Sequence, residues 1–274
     1  FLRFFVFVFC FLFFGSLLCA QTAIEKTLDA IHAKKLYTVE DGLTQGYITC
    51  VFEDHLGYLW VGTLNGLNRF DGKTFETFIE NPSDSFSVKG QYVDQILEDH
   101  LQRLWVLFNN GTIAVFDEKK RRFHSVELIG YQENQERNFV NLFCHKGKFW
   151  IQQKHRIARL NLNDQKKENA SWKAEVSYVA ILDEQNKEPS RLLNILFDEK
   201  DRLWLSSVAN VLIIDQPNAA SDTLYAKNFP LPQTADSIDH YGLLQMRNDS
   251  LWMSTWSGDL FLLKGDKVIH HNRY

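Results

Sequence analysis

At 274 residues, of which 45% are hydrophobic, the chain is long enough to bury a sizeable core, and an all-β barrel or propeller of this length can be a single domain. Its 30 basic residues are outnumbered by 34 acidic ones, for a net charge of -4. That balance argues against the broad positive face needed to neutralise a phosphate backbone, and so against nucleic acid as a partner.

Residues 1–20 differ from everything after them. Arg3 is followed by a nearly unbroken apolar run from Phe4 to Phe14, then Gly15, Ser16, Leu17, Leu18, Cys19 and Ala20. A basic start, a short apolar stretch and a small final residue read as a secretory signal peptide cut after Ala20. The run falls short of the roughly 20 residues of a comfortable bilayer span. Two other readings stay open: a lipoprotein signal acylated at Cys19, against which the bulky Leu17 and Leu18 argue, and an uncleaved anchor. All three export the body of the chain. Residues 21–32 are a linker. Beyond the signal only Cys50 and Cys144 remain, which is no disulfide framework. Each lies in a short apolar run and reads as a small buried hydrophobe, with a bridge between them left open.

The segment 33–39, containing Leu36, Tyr37 and Thr38, looks like the outer strand of a unit whose other strands lie elsewhere. After it a repeat begins. Trp60, Trp105, Trp150, Trp204 and Trp252 follow one another at intervals of 45, 45, 54 and 48 residues, each preceded by an apolar or aromatic residue. The flanking text repeats as well: Glu53-Asp54-His55-Leu56-Gly57-Tyr58-Leu59-Trp60 is matched by Glu98-Asp99-His100-Leu101-Gln102-Arg103-Leu104-Trp105, and more loosely by Phe197-Asp198-Glu199-Lys200-Asp201-Arg202-Leu203-Trp204. Within each unit four short alternating runs are separated by turn residues, the strand signal. In the first they are Tyr47 to Phe52, Tyr58 to Thr63, Gly66 to Phe70 and Thr74 to Ile79. Six residues past the tryptophans stand Gly66, Gly111, Arg156, Asn210 and Gly258, four of which tolerate the positive φ that a tight hairpin asks for.

Four antiparallel strands repeated at this spacing are the arithmetic of a β-propeller blade. The chain is therefore read as all-β, with five blades at 47–79, 92–128, 139–179, 191–229 and 241–271. The unmatched strand at 33–39, and a first residue that is not methionine, suggest a fragment of a longer protein whose ring is closed by further blades. A closed five-bladed ring is the competing reading. In a propeller the repeated tryptophan is a wedge between blades. The Glu-Asp pairs, because they recur, are turn formers rather than a catalytic acid and base.

The run Tyr37 to Gln45, with Asp41-Gly42-Leu43-Thr44, then Ile48, Glu53-Asp54, Gly57, Leu59-Trp60-Val61-Gly62-Thr63 and Asn65-Gly66-Leu67, resembles the two-component regulator propeller repeat. The likeness is dense over 36–117, moderate over 191–264 and weak over 118–190. The resemblance implies the periplasmic sensor region of a hybrid sensor histidine kinase, tethered to the inner membrane, with an oligosaccharide or its breakdown product as ligand and a homodimer formed through parts outside this chain. The kinase's phospho-accepting histidine, nucleotide boxes and receiver aspartate have no counterpart here, so no kinase activity is expected of these residues.

Three functional classes fit these features: a sensor module, a protein-interaction scaffold, and a secreted propeller enzyme acting on polysaccharide. Nine histidines are scattered, none with metal-ligand spacing, so no catalytic, metal or cofactor residue is assigned. Aromatic residues outside the repeat, Trp172, Tyr178, Tyr241 and Trp256, are the available sugar platforms, though blade packing is the reading preferred for each; ligand-binding residues stay unassigned.

Overall fold

The computed structural model describes residues 35–131, 141–153, 156–164, 171–189, 191–207, 210–215, 217, 221–230, 241–246, 250–255, 257–265 and 267–273. The signal segment 1–20 and the linker 21–32 lie outside the described residues. Two compact units divide at residue 40. In the first, Lys35 sits over the Tyr37 ring at 4.4 Å and the Glu40 amide donates to the Thr38 hydroxyl. The outer strand expected at 33–39 does not form where it is described: Lys35 to Thr38 are irregular, and a 3-10 turn, Val39–Asp41, follows. Extended backbone persists where a neighbour takes up its hydrogen bonds, and no ladder among the described residues includes this segment.

The second unit is all-β and repeats one four-stranded pattern. Blade 1 consists of β1 (Ile48–Glu53), β2 (Leu59–Thr63), β3 (Gly66–Phe70) and β4 (Phe75–Phe78), and blade 2 of β5 (Val93–Glu98), β6 (Leu104–Phe108), β7 (Ile113–Asp117) and β8 (Arg122–Ile129). Blade 3 holds β9 (Asn141–His145), β10 (Lys148–Gln152), β11 (Ile157–Asp164) and β12 (Ser171–Leu182). Blade 4 holds β13 (Leu192–Phe197), β14 (Leu203–Ser207) and β15 (Val211–Ile214), followed by β16 (Thr223–Tyr225) and β17 (Lys227–Asn228). Blade 5 is β18 (Tyr241–Met246), β19 (Ser250–Thr255), β20 (Asp259–Lys264) and β21 (Lys267–Arg273). Within each blade the strands pair antiparallel in chain order, except that in blade 4 β15 pairs with β17 and passes over β16; the first strands of successive blades touch one another, β1 to β5, β5 to β9, β9 to β13 and β13 to β18. That is the geometry of blades arranged around an axis, with first strands innermost.

Among the described residues the core is four clusters, each shared by two neighbouring blades. Trp60 and Leu67 of blade 1 pack on Val93, Val106 and Phe108 of blade 2; Trp105 of blade 2 packs with Leu142, Phe149 and Ile151 of blade 3. Trp150 then joins Ile195, Leu203 and Leu205, and Trp204 joins Leu251, Met253 and Phe261. These four rings are at most 2% exposed. Trp252, on the last described blade, is only half-buried. Cys50 and Cys144 sit beside two different clusters as free thiols, so the bridge left open above is not made, and burial pushes both thiols up.

A buried indole usually finds an acceptor for its N–H. The Trp60, Trp105 and Trp204 Nε1 atoms donate to Oδ2 of Asp54, Asp99 and Asp198, at 2.7, 2.9 and 2.9 Å. The other oxygen of each carboxylate accepts two amides of its own turn: Leu56 and Tyr58, Leu101 and Arg103, Lys200 and Arg202. The turn reverses through a left-handed residue, Gly57 (φ 82), Gln102 (φ 60) or Asp201 (φ 63). An arginine lies over each of the four buried rings: Arg69 on Trp60 at 5.3 Å, Arg103 on Trp105 at 5.6 Å, Arg159 on Trp150 at 5.6 Å and Arg202 on Trp204 at 5.3 Å. The recurring Glu-Asp pair is thus a turn former, and its aspartate is also the partner of the tryptophan.

Ahead of blade 1, Gly42-Leu43-Thr44 clips onto the sheet. Leu43 is buried, the Thr44 amide donates to Asn68 Oδ1 at 2.9 Å, and Asn68 Nδ2 donates back to the Thr44 hydroxyl at 3.0 Å. At the second hairpin Gly66 takes φ 109, and a Cβ there would stand 2.7 Å from the Phe78 carbonyl oxygen, so φ and space both require glycine.

The outer edge is unlike anything expected from the sequence. Because every blade repeats the same up-and-down order, fourth strands of adjacent blades run the same way and pair only in parallel. The 12-residue β12 does so twice, matching Ser171–Glu175 to Ser125–Ile129 of β8 and Ala180–Leu182 to Thr223–Tyr225 of β16. It thereby stitches blade 3 to both neighbours and covers edges that a free blade leaves open.

Three outcomes test this packing. Trp105→Ala is expected to lower unfolding free energy by about 3–5 kcal/mol in denaturant melts, and Trp252→Ala by clearly less. Asp99→Ala should cost about 3 kcal/mol, since two amides and an indole lose a charged acceptor, whereas Asp99→Asn keeps an acceptor for the amides, turns an NH2 on the indole and should cost about half as much. At Asp198 burial raises the carboxyl pKa, but hydrogen bonds from Trp204 and Arg202 lower it further, to a net value below the ordinary one. The stability it contributes is therefore full above the unfolded carboxylate value of about 3.9 and is lost as pH falls through the lower folded value. Chemical melts between pH 7 and pH 3 should show that loss, and Asp198→Asn should flatten it.

Candidate functional site

The first hairpins of blades 1, 2 and 3 each face the next blade, and their residues shape the junction there. Between blades 1 and 2, His55 Nδ1 and the His55 amide engage the carboxylate of Glu98, the last residue of β5. Between blades 2 and 3, the His100 ring lies so close to Gly147 that a Cβ there would meet it at 2.8 Å. At both junctions the histidine of the preceding hairpin thus reaches across to the next blade.

The junction of blades 3 and 4 is built differently on both sides. In blade 3 the hairpin has lost its aspartate and shrunk to a two-residue loop: His145 pairs directly with Lys148, and Lys146 (φ 47) and Gly147 (φ 77) make the reversal between them. Positive φ at both central residues is the two-residue turn whose twist suits a hairpin. In blade 4 the hairpin keeps its aspartate clamp but replaces the surrounding residues: Phe197 stands where blades 1 and 2 have Glu53 and Glu98, Lys200 where they have Leu56 and Leu101, and Asp201 where they have Gly57 and Gln102.

The outcome is a cleft of about 300 Å3 between the two hairpins, lined by His145, Lys146 and Lys148 on one side and Phe197, Lys200 and Asp201 on the other, with Trp150 and Pro217 completing it. The His145 ring lies flat on Phe197, centroids 4.0 Å apart and planes 5° from parallel, and its Nε2 reaches Asp201 Oδ1 at 2.9 Å. Lys146 Nζ donates to the other oxygen of Asp201. Lys146 first and His145 second hold the Asp201 carboxyl below the usual carboxylate range. Two lysines lie further along the lips, Lys148 and Lys200, both exposed. Trp150 also lines the cleft but is 2% exposed, so it presents no open face to it.

The aromatic residues singled out in the sequence are placed elsewhere. Trp172 is buried on β12, edge-on to Trp105 at 6.4 Å and stacked on His124 at 5.2 Å, so it packs blades. Tyr178, also on β12, is half-buried under the Arg156 guanidinium at 4.1 Å. Tyr241 opens β18, with its side chain outside what is described, and Trp256 lies outside the described residues. No group of three or more His, Cys, Asp or Glu side chains suited to a metal is found among the described residues. Sequence reasoning misses the cleft residues because Lys146 and Lys200 are far apart in the chain and meet only once blades 3 and 4 are set side by side. The available signal is the missing aspartate and shortened text at His145-Lys146-Gly147-Lys148.

Antiparallel four-stranded blades meeting through tryptophan wedges, with variable hairpins at one rim, define a β-propeller module. Residues 42–65 match the family described as two component regulator propeller, so the first blade carries that family's repeat, clip and all. Histidine kinase P4 of Formosa agariphila is 48% identical over 54 residues, which are 20% of this chain and 4% of that protein. Among solved structures, PorZ, an essential surface component of the type-IX secretion system of Porphyromonas gingivalis, superposes with a TM-score of 0.63 at 16% identity over 86% of this chain and 36% of its own. An extracellular domain assigned to a hybrid two component system of B. thetaiotaomicron gives 0.54 at 16% identity, covering 83% and 36%. This chain thus spans about a third of the length of those structures, and at such identities they speak for the fold. No helix among the described residues is long and apolar enough to cross a membrane.

The cleft's inner pairing is testable on its own. In a carboxyl-resolved NMR titration Asp201 should titrate below about 3.9, and Lys146→Ala should raise its midpoint.

Proposed function

We propose that this chain is the ligand-sensing propeller module of a two-component signalling protein, exported across the inner membrane and acting on its outer side. The observation that carries this reading is the 48% identity to a histidine kinase over 54 residues, beside the propeller repeat matched at residues 42–65. The chain's own residues contribute recognition and a rigid frame, and no catalytic step is assigned to them. The ligand class we infer is a glycan or a product of its breakdown, taken up at the rim of the blade 3–4 junction, where the repeat gives way to a polar cleft with a ring at its floor. A bound solute spanning the two hairpins favours one arrangement of the sensor dimer over another by its difference in affinity for the two, and that difference is the signal.

A second reading, a scaffold for a protein partner, is favoured by Leu56 and Leu101, which stand 52% and 58% exposed at equivalent hairpin tips of blades 1 and 2. Thermal melts of the chain against a panel of soluble oligosaccharides separate the two. The sensor reading expects at least one to raise the midpoint in a concentration-dependent way. A flat panel, together with a protein partner whose affinity falls on Leu56→Ser and Leu101→Ser substitution, selects the scaffold.

A further inference from the structure

Each of the four blade junctions has its tryptophan cluster, so the core alone does not set one junction apart from another. The outer edge does. Between blades 2 and 3 the backbone of β12 pairs with that of β8 over five residues, Ser171–Glu175 on Ser125–Ile129. Between blades 3 and 4 it pairs with β16 over three more, Ala180–Leu182 on Thr223–Tyr225. Two further backbone bonds flank that ladder, Ala180 N–H to Asp222 O at 2.9 Å and Ala226 N–H to Leu182 O at 2.8 Å. Among the described residues β16 takes no part in the sheet of its own blade, where β15 pairs with β17, so blade 4 lends a strand to blade 3. The Arg159 guanidinium of β11 donates to the Ser221 carbonyl just ahead of the lent strand.

The junction of blades 1 and 2 has no such ladder. β4 pairs with β3 alone, and the Phe123 amide of β8 donates at 2.8 Å to the Phe86 carbonyl of the segment that joins the two blades. The backbone contact there is Gly66 N–H to Gln91 O, just ahead of β5. Side chains do the rest: Arg121 pairs with Glu76 of β4, Arg69 of β3 with Glu118, and His55 with Glu98. Arg121, Glu118 and His55 are exposed, so all three pairs are open to screening by salt, and pairs of that kind hold a junction only weakly. A ladder between neutral amides and carbonyls carries no net charge to screen. No ladder joins β17 to β21 among the described residues either.

We propose that blades 2, 3 and 4 form one rigid body strapped together by β12, and that blade 1 moves against it at a junction closed on its outer side by ion pairs. Separating blade 3 from blade 4 breaks backbone bonds as well as the Trp150 cluster, whereas blade 1 swings outward once exposed side chains let go. The strap thus decides where this row of blades flexes. The inference needs no ligand and stands apart from the sensor reading.

Hydrogen exchange read by mass spectrometry on the full chain, in rising sub-denaturing urea, follows the opening of each blade. Peptides covering β6, β10 to β12 and β14 to β16 are expected to converge on one exchange curve, with β2 and β3 exchanging about tenfold faster or more at the same urea. Raising NaCl from about 0.05 M to about 0.5 M at constant pH should speed blade 1 about threefold or more relative to blades 2–4. Glu76→Gln, which keeps the shape and loses the charge, should speed blade 1 at low salt and remove most of its response to added salt. Ala180→Pro removes the amide bonded to Asp222 and should move β14 and β15 onto a separate curve, about fivefold faster or more, while β6 keeps that of the parent. The proposal is overturned if blade 4 exchanges apart from blades 2 and 3 in the parent, if blade 1 follows their curve, or if salt acts on all blades alike. It also falls if a folded Ala180→Pro chain keeps β14 on the curve of β6; should that variant not fold, the parent curves and Glu76→Gln decide the matter.

Discussion

An indole ring seals one blade against the next most firmly where its single polar atom is satisfied without water, because an unpaired N–H gives back much of what burying the ring gains. In this chain a carboxylate solves that problem, and the same carboxylate closes the turn that brings it into position. One oxygen of Asp99 takes the Trp105 indole while the other holds the Leu101 and Arg103 amides, and Asp54 and Asp198 repeat the arrangement. Hairpin shape, ring orientation and blade spacing are thereby coupled through one side chain. A blade with this clamp has little freedom to vary its first hairpin. Blade 3 dispenses with it, and the hairpin changes length.

That coupling explains why so much of the architecture could be read from the residues. Trp60, Trp105, Trp150 and Trp204 recur because each fills the same interface, and the flanking alternation follows from strands with one face on each neighbour. The aspartates could be recognised as turn residues from their recurrence. Their second role, as indole acceptors six residues before the ring, needed coordinates, since nothing in a sequence distinguishes an aspartate that caps a turn from one that also reaches across it. The outer edge was harder still. Parallel pairing of β8, β12 and β16 joins segments whose neighbours are set by blade order, and the text over 118–190, where the repeat is faintest, is where β12 was lengthened to make those contacts. The irregular course of Lys35–Thr38 has a related cause: a sequence able to be a strand becomes one only when another edge accepts it.

The blade 3–4 cleft lies at the intersection of these two features. Below it the junction is held by Trp150, Ile195 and Leu203, and at the outer rim β12 ties blade 3 to blade 4 through β16. The two hairpins that frame the cleft therefore rise from a base fixed at both ends, and their separation is set by the scaffold instead of by the side chains that line it. Lys146 and His145 need only reach Asp201 to define the mouth. Such a site gives little of its binding energy back in ordering loops, which is the usual advantage of placing recognition on short hairpins of a rigid sheet.

The chemistry at the rim then follows from which repeat residues were available to change. Glu98 in blade 2 is used to pair with His55, and Gly147 is needed to admit His100, so the first two junctions are committed to their own contacts. At the third, Phe197 takes the glutamate position and stacks on His145 instead of pairing with it, which removes a negative charge and leaves Asp201 to serve as the bridge. Exchanging an inter-blade ion pair for a stacked ring thus moves the charged contact of the junction from the end of the first strand to the hairpin, where Asp201 meets His145 and Lys146.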